Sequence, residues 1–196
     1  TDTGKTIYKG KSKKVGTVVS STTVTKMKEL MASVINGDNT NSTGYLYHIK
    51  DEFFDQINKK GLMINHENGH SRPSYLAIKD KEILWFIPLS TKVDKYRTII
   101  AKKEKKYGSC KTILIKRIAG REQAILIQNA FPTLEKYIQS RHTVDGKVVK
   151  IASAVEREII DDFEYMLSLK ASGLDLFFTD IDFIKNLMLD ELKVLN

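Results

Sequence analysis

The sequence predicts an α+β fold: a largely antiparallel sheet or small barrel with inserted and C-terminal helices. From residue 45 onward, five to seven short apolar runs are separated by turn residues, which is typical of short strands. Helical periodicity occurs between some of these runs and dominates residues 153–196. The chain has no internal repeat, and it lacks the strand–helix–strand rhythm of a dinucleotide-binding fold.

Length and composition describe one globular domain with room for a small appendage. At 196 residues, with 41% hydrophobic and 29% charged residues, the chain can build one good hydrophobic core. A single cysteine, Cys110, excludes an internal disulfide framework and fits a reducing cytoplasm. One cysteine and four scattered histidines also argue against a structural zinc site.

Charge is unevenly distributed along the chain. The net charge is +8, yet residues 91–121 carry eleven Lys and Arg against two acidic residues, and residues 153–196 carry ten acidic against four basic residues. A basic block of this kind is the electrostatic signature expected of a protein that binds a polyanion. The alternative is an ordinary solvated helix face. The block therefore needs support from chemistry nearby.

The first part of the chain differs in composition from the rest. Residues 1–43 are rich in Gly, Ser, Thr and Lys, apart from a short helical pattern around Met27 and Val34. Residues 37–44, GDNTNSTG, have the composition of a linker. We expect 1–43 to be a partly disordered N-terminal extension and 44–196 to be the functional domain.

The elements of that domain follow from apolar periodicity and turn chemistry. Strands are predicted at 45–49, 74–80, 82–90, 111–118 and 122–128, and helices at 50–58 and 93–107. Asp145-Gly146 suits a type I′ turn, so residues 143–151 predict a hairpin. Residues 66–75, HENGHSRPSY, are predicted to be a loop.

Two helices are predicted at the acidic C-terminal end. Ser153 and Glu156 have capping-box spacing at the start of the first helix. Its apolar face would carry Val155, Ile159, Phe163 and Leu167. Gly173 ends that helix, and a second helix after Thr179 would bury Phe183 and Leu187. Because a polyanion would repel them, we expect both acidic helices to lie on the far side of the domain from the groove that binds it.

A metal site is the first chemistry that the loop suggests. His66, Glu67 and His70 have the H-E-x-x-H spacing of zinc peptidases, which requires a helix so that both imidazoles face one side. Asn68-Gly69 between the histidines favours a turn and opposes a helix. A metal-dependent nuclease or peptidase built on these residues therefore remains a minor hypothesis. We expect no metal and no cofactor.

A phosphate site is the second possibility. Pro73 favours an extended backbone at Arg72, whose guanidinium can hold a phosphate with two hydrogen bonds. Ser90, Thr91 and Lys92 place two hydroxyls and an ammonium where a predicted strand meets a predicted helix. One hydroxyl is also expected to cap that helix. Motifs for serine, cysteine or P-loop chemistry are absent.

The order of these segments resembles the ToxN/AbiQ endoribonuclease toxins of type III toxin–antitoxin systems, in particular their TenpN/CptN-like branch. The resemblance runs from about Tyr45 to Leu192. Its segments are YLYHIKDEFFDQI, RPSYLAIKD, LWFIPLSTKVDKY and LIQNAFP. It implies an SH3-like barrel of the Kid/MazF type in a bacterial cytoplasmic protein.

The resemblance also implies an activity and a partner. RNA would be cleaved without metal by attack of a 2′-hydroxyl on its own 3′ phosphate, which leaves a 2′,3′-cyclic phosphate. A small structured (pseudoknot) RNA antitoxin, cut from a repeat precursor, would inhibit the toxin in a protein–RNA assembly. Such systems act in phage defence by abortive infection, so cellular or phage RNA would be the substrate.

Site residues follow by position and by chemistry. Ser90, Thr91 and Lys92 match the family's hydroxyl–hydroxyl–lysine site, and Arg72 matches the basic residue before the preceding strand. His70 is the candidate for proton transfer, because its ordinary pKa suits neutral pH. The predicted RNA-binding residues are Lys50, Tyr75, Lys95, Tyr96, Arg97, Lys102 and Lys103, with Lys105, Lys106 and Trp85 considered beside them. The alternative is a non-catalytic RNA-binding module that uses the basic 92–121 face.

Overall fold

The computed structural model describes residues 43–57, 61–67 and 69–195, so the predictions for residues 1–42 lie outside the described part of the chain. Four helices occur in that part: α1 (Asp51–Ile57), α2 (Val93–Tyr107), α3 (Ser153–Ala171) and α4 (Ile181–Leu195). The strands are β1 (Leu46–Ile49), β2 (His66–Glu67), β3 (His70–Ser71), β4 (Ser74–Asp80), β5 (Ile83–Ser90), β6 (Leu114–Ile118), β7 (Arg121–Ile125), β8 (Phe131–Leu134), β9 (Ile138–Arg141), β10 (Thr143–Val144) and β11 (Lys147–Val148).

Seven of these strands form one antiparallel sheet. Its order is β6-β7-β5-β4-β1-β9, and β8 pairs with β5 beside this path. The α+β class and the antiparallel sheet are therefore confirmed. Within the described residues the end strands β6 and β9 do not pair with each other, so the sheet stays open and the expected barrel does not close.

Strand β5 forms the centre of the molecule. All eight of its residues are buried, and it pairs with β4, β7 and β8. A strand covered on both faces has no polar face, which explains its continuous apolar sequence. Trp85 is only 7% exposed and its ring centroid lies 5.6 Å from that of Phe163, so it belongs to the core and cannot stack on RNA bases.

The turn of the hairpin predicted at residues 143–151 is confirmed. β10 and β11 pair through Thr143–Val148 and Val144–Lys147. Asp145 and Gly146 have φ values of 51° and 73°, the left-handed pair that a type I′ turn requires. The short hairpin directly follows β9, and just after it Lys150 forms an antiparallel bridge with Tyr45.

The apolar face predicted for α3 is confirmed, since Ile159 and Phe163 are buried and Val155 and Leu167 pack against the same core, but the face predicted for α4 is partly wrong. In α4 the buried residues include Ile181, Ile184 and Met188, whereas Phe183 is 42% exposed, so the prediction that Phe183 is buried is wrong. The next residue, Ile184, occupies the inward face of the helix, and adjacent residues of a helix point in different directions. Helix α2 packs through Tyr96 against a second, smaller core with Ile113, Ala124 and Leu126.

Acidic helix α3 touches the basic block directly. Asp162 Oδ1 lies 2.7 Å from Lys111 Nζ, and Glu158 Oε2 lies 2.5 Å from Lys116 Nζ. Opposite charges make this packing favourable. None of the described helices is both long enough and apolar enough to cross a bilayer.

Candidate active site and nucleic-acid interface

Three segments that are distant in sequence meet where β4 begins and β5 ends. The amide of Leu89 donates to the Pro73 carbonyl at 3.1 Å, which ties the two strands together there. Arg72 Nη1 donates to the Leu89 carbonyl at 2.7 Å, and its Nε donates to the Ile64 carbonyl at 3.3 Å. The guanidinium therefore contacts the backbone of Leu89, the residue before Ser90.

The junction between β5 and α2 exposes two of its three polar residues. Ser90 is 3% exposed, and its Oγ accepts a hydrogen bond from the Lys92 amide at 3.3 Å. Thr91 and Lys92 are exposed. Lys92 occupies the N-cap position of α2 and no side chain caps the helix, so the predicted Ser or Thr cap is wrong. The Ser90 hydroxyl instead bonds to the amide just before the helix.

Residues 66–67 and 70–71 pair as two short antiparallel strands, where the sequence predicted a loop. β2 and β3 pair with Glu67 opposite His70, so His66 and His70 stand on different strands. His66 Nε2 lies 2.6 Å from Asp51 Oδ1, which holds the hairpin against the start of α1. No group of three metal-ligating side chains occurs among residues 43–57, 61–67 and 69–195. The geometry of a zinc peptidase motif is therefore absent.

A pair of histidines that sequence reasoning did not single out is linked to Ser71, the residue before Arg72. His48 Nε2 and His142 Nδ1 are 2.9 Å apart, and His48 Nδ1 is 2.7 Å from Ser71 Oγ. The predicted His70 is exposed and lines the same cleft. The two rings meet because β1 pairs with β9, which ends one residue before His142. Since 94 residues separate them, no local pattern could reveal the pair.

Burial lowers the pKa of both imidazoles. For His48 the loss of solvent has the largest effect, the nearby His142 lowers the pKa further, and a contact with Ser71 opposes the shift. For His142 the loss of solvent alone lowers the pKa. Both shifts favour the neutral imidazole, in which one ring nitrogen carries no proton.

The predicted RNA-binding residues separate into exposed cations and paired ones. Lys95 and Lys102 are exposed on α2, and Lys50 is half-buried before α1. Arg97 Nη2 is 2.6 Å from Glu122 Oε1, and Lys103 Nζ donates to Thr112 and Gln128 at 2.6 and 2.8 Å. Arg97 and Lys103 therefore also hold α2 against the sheet.

Tyr75 and Tyr96, both predicted to stack on bases, are core residues. Tyr75 is 0% exposed, and its hydroxyl donates to Glu156 Oε1 at 3.1 Å. Tyr96 is 7% exposed in the smaller core beneath α2. Neither ring offers a face to a nucleotide, because sheet and helix packing already cover both. The predictions that Tyr75 and Tyr96 stack on RNA bases are therefore wrong.

The fold is shared with type III toxin–antitoxin proteins of known structure. One is AbiQ, a lactococcal anti-phage endoribonuclease: identity is 12%, the TM-score is 0.57, and the match covers 78% of this chain and 99% of AbiQ. Another belongs to a bacterial type III toxin–antitoxin system in which a non-coding RNA pseudoknot selectively inhibits the toxin. Its identity to this chain is 12% and the TM-score is 0.53, and the match covers 76% of this chain and 98% of that protein. No family model matches the sequence, and no curated protein does. The predicted resemblance is thus confirmed as a shared fold.

Proposed function

We propose that residues 44–196 form a metal-independent endoribonuclease toxin of the type III class. The fold shared with AbiQ supports this class, and the match covers 78% of this chain. The hydrogen bond from Arg72 Nη1 to the Leu89 carbonyl carries the proposal, because it ties the guanidinium to the residue that directly precedes Ser90, Thr91 and Lys92. A guanidinium, an ammonium and two hydroxyls at one strand end suit a phosphodiester.

The reaction is an internal transesterification of RNA. The 2′-oxygen attacks the adjacent phosphorus, the bond to the 5′-oxygen breaks, and the products carry a 2′,3′-cyclic phosphate and a 5′-hydroxyl. Arg72 and Lys92 would stabilise the extra negative charge on the pentacoordinate phosphate. Ser90 or Thr91 would orient its non-bridging oxygens. Positive charge from these side chains takes the place of a metal ion.

RNA would approach along the exposed cations of α2. Lys95 and Lys102 are seven residues apart and therefore lie on one stripe of the helix. Such contacts with phosphates give an affinity that falls with salt concentration. Helix α2 starts directly after Lys92, so this stripe leads to the proposed phosphate site.

The partner proposed for this surface is a structured RNA. A non-coding RNA pseudoknot inhibits the toxin of a similarly folded system. We infer a repeat-derived RNA antitoxin that binds the basic surface in a protein–RNA assembly in the bacterial cytoplasm. A role in phage defence follows from the same likeness, since AbiQ is an anti-phage endoribonuclease.

Cleavage of RNA in excess EDTA, by the wild type and by Lys92→Ala, tests the proposal. The wild type should release fragments that end in 2′,3′-cyclic phosphate. Lys92→Ala should be at least about 100-fold slower, the usual loss when one charge-stabilising group is removed. Lys193→Ala is the control, because it removes an exposed lysine paired only locally with Asp190 on α4.

Two other outcomes would contradict the proposal. Intact RNA that stays bound in a salt-dependent way would identify a non-catalytic binding module. Cleavage that EDTA abolishes would identify a metal-dependent nuclease. Equal rates for Lys92→Ala and Lys193→Ala would move the active site away from the junction of β5 and α2.

A further inference from the structure

Three strongly exposed apolar side chains lie around the C-terminal half of α2. Ile64 is 76% exposed, Tyr107 is 67% exposed and Phe178, in the connection between α3 and α4, is 61% exposed. Together with Val194 near the end of α4, they are the four most exposed large hydrophobic side chains among the described residues. Single exposed apolar residues are ordinary, whereas several at one place indicate a binding surface.

Lys103 places two of these side chains next to each other. Its Nζ lies 5.8 Å from the centroid of the Phe178 ring. Tyr107 follows Lys103 by four residues and therefore lies on the same face of α2. The backbone of Phe178 is held in place, because its amide donates to the Gln128 carbonyl at 2.7 Å. Phe178 and Tyr107 thus form an exposed aromatic pair beside one ammonium group.

The exposed cations of α2 lead to this aromatic pair. Lys106 follows Lys102 by four residues and continues the stripe of Lys95 and Lys102. Its Nζ lies 4.8 Å from the centroid of the Tyr107 ring. Proteins that bind single-stranded nucleic acid combine cations, which bind the phosphates, with aromatic rings, on which the bases stack. The end of the stripe has both kinds of group.

The segment from Gly61 to Ile64 connects the aromatic pair to the proposed phosphate site. A Cβ added to Gly61 would lie 1.9 Å from the Phe178 carbonyl oxygen, and the Ile64 carbonyl accepts from Arg72 Nε at 3.3 Å. Between these two contacts, Met63 packs against the smaller core beneath α2. Because each residue spans at most about 3.6 Å, the backbone of Phe178 lies within roughly 20 Å of the Arg72 guanidinium.

Helix α2 gives a similar separation. Lys103 follows Lys92 by eleven residues, which corresponds to about 16 Å along the helix axis. A stacked nucleic-acid strand advances about 3.4 Å per nucleotide, so this separation corresponds to several nucleotides of RNA. One single strand can therefore reach both the proposed phosphate site and the aromatic pair.

We propose that Phe178 and Tyr107 form a stacking site for an unpaired base of the RNA substrate, several nucleotides from the phosphate that is cleaved; the inference rests on the proposed ribonuclease activity. Bases in a double helix are already paired and stacked, so such a site selects single-stranded RNA. Every base has an aromatic face, so stacking tolerates different sequences. The aromatic pair supplies the contact that the buried Tyr75 and Tyr96 do not.

Binding of unstructured RNA by Phe178→Ala is the first test. The probe is a fluorescently labelled 2′-O-methyl oligonucleotide, which cannot be cleaved because it has no free 2′-hydroxyl. Affinity should fall at least about fivefold, as expected when one stacking ring is removed. Phe178→Leu should lose as much, since it keeps apolar bulk without an aromatic face, and Phe178→Tyr should bind like the wild type. Phe183→Ala is the matched control, because it removes an exposed phenylalanine from α4.

Two further readouts distinguish stacking from attraction by charge. The salt dependence of binding should be the same in Phe178→Ala and the wild type, because no phosphate contact is lost. In Phe178→Trp the introduced indole should lose fluorescence when RNA binds. Trp85, the single tryptophan of the wild type, is buried in the core and should not respond.

Cleavage kinetics test whether the stacked base belongs to the substrate. Phe178→Ala should raise KM at least about fivefold with little change in kcat, because a contact far from the reacting phosphate is made equally in the ground state and the transition state. Tyr107→Ala should raise KM in the same way. Removing the base that stacks from the substrate should raise KM for the wild type and add nothing to the effect of Phe178→Ala.

The outcomes separate this inference from the proposed function. Wild-type cleavage with equal RNA affinity in Phe178→Ala and Phe183→Ala would overturn the stacking site and leave the ribonuclease standing. Full affinity in Phe178→Leu would also overturn it, because apolar bulk would then be sufficient. Weaker oligonucleotide binding with an unchanged KM would assign the ring to an RNA other than the substrate and contradict the proposal. A wild type that cleaves no RNA, yet binds it fivefold more tightly than Phe178→Ala, would overturn the proposed function and support the stacking site.

Discussion

At the scale of single residues, Asp162 is an ionisable residue at a buried position, where a charge destabilises the folded state. It is 4% exposed, and its Oδ1 lies 2.7 Å from Lys111 Nζ. Burial raises the pKa of Asp162 and the contact with Lys111 lowers it, with burial the larger effect. The same contact raises the pKa of Lys111. The ion pair thus relieves part of the cost of burial and does not remove it.

The sign of the pH dependence follows from the raised pKa. A carboxyl group that binds its proton more tightly in the folded state favours folding while it is protonated, near and below its ordinary pKa of 3.8. That contribution is lost as the pH rises through the higher folded pKa. Around neutral pH the carboxylate depends on Lys111, because an unpaired buried charge is strongly destabilising.

Lys111→Ala should therefore destabilise the protein more at neutral pH than in acid. We expect the free energy of unfolding to fall by about 1–2 kcal/mol at pH 7. This loss is smaller than that expected for a fully buried ion pair, because the Lys111 side chain is about half exposed. The difference from the wild type should shrink as the pH falls towards 4. Urea unfolding at several pH values measures it, with Lys193→Ala as an exposed control. A difference that does not depend on pH would contradict this account of Asp162.

At the scale of elements, α2 combines two surfaces that its sequence pattern distinguishes only in part. Of the predicted apolar face, Tyr96 is buried, whereas Val93, Ile99 and Ile100 are partly exposed. The basic residues divide in the same way, since Arg97 and Lys103 bond to neighbouring elements. The cations left for a polyanion are concentrated on the stripe of Lys95 and Lys102.

The double substitution Lys95→Ala with Lys102→Ala should weaken RNA binding and also its salt dependence. Each lost contact with a single-stranded phosphate lowers the slope of log affinity against log salt by about 0.7, so the slope should fall by about 1.4. Fluorescence anisotropy with 2′-O-methyl RNA between about 50 and 200 mM salt measures it. Lys185→Ala with Lys193→Ala removes the same charge from α4 and should leave the slope unchanged. Equal effects in both pairs would indicate attraction by net charge alone.

At the scale of the whole molecule, Gly61 lies where two segments that are distant in sequence pack closely together. A Cβ added to Gly61 would lie 1.9 Å from the backbone carbonyl oxygen of Phe178, in the connection between α3 and α4. Gly61 also has a φ of +76°, which disfavours any other residue. Gly69 has nearly the same φ, +78°, and a Cβ there would meet nothing within 4 Å. The two positions share one backbone requirement and differ in packing.

Gly61→Ala and Gly69→Ala separate these two effects. Gly69→Ala should cost about 1 kcal/mol of stability, the penalty for a left-handed alanine. Gly61→Ala should cost about 1–3 kcal/mol more, because the clash is with backbone and the two segments must move apart. Urea unfolding of both variants beside the wild type gives the difference. Equal losses would mean that the contact between residue 61 and Phe178 contributes nothing to stability.

The start of α3 differs from what its local sequence pattern predicts. Ser153 and Glu156 have capping-box spacing, yet Ala152 holds the N-cap position and Glu156 accepts a hydrogen bond from the Tyr75 hydroxyl. A buried hydroxyl needs a partner more than a helix end near solvent does. Tertiary contacts thus redirected a side chain whose local pattern pointed elsewhere.

The sequence by itself determined many of the elements of this protein, though not β2, β3, β8 or β9, since apolar periodicity and turn chemistry act between residues that are close along the chain. The runs that became β4, β5 and α2, the Asp145-Gly146 turn and the placement of Arg72 before β4 all follow from such local rules. Only the tertiary structure decided which strands are neighbours. That order buried Tyr75 and joined His48 to His142 across 94 residues, because packing depends on contacts that local spacing does not encode.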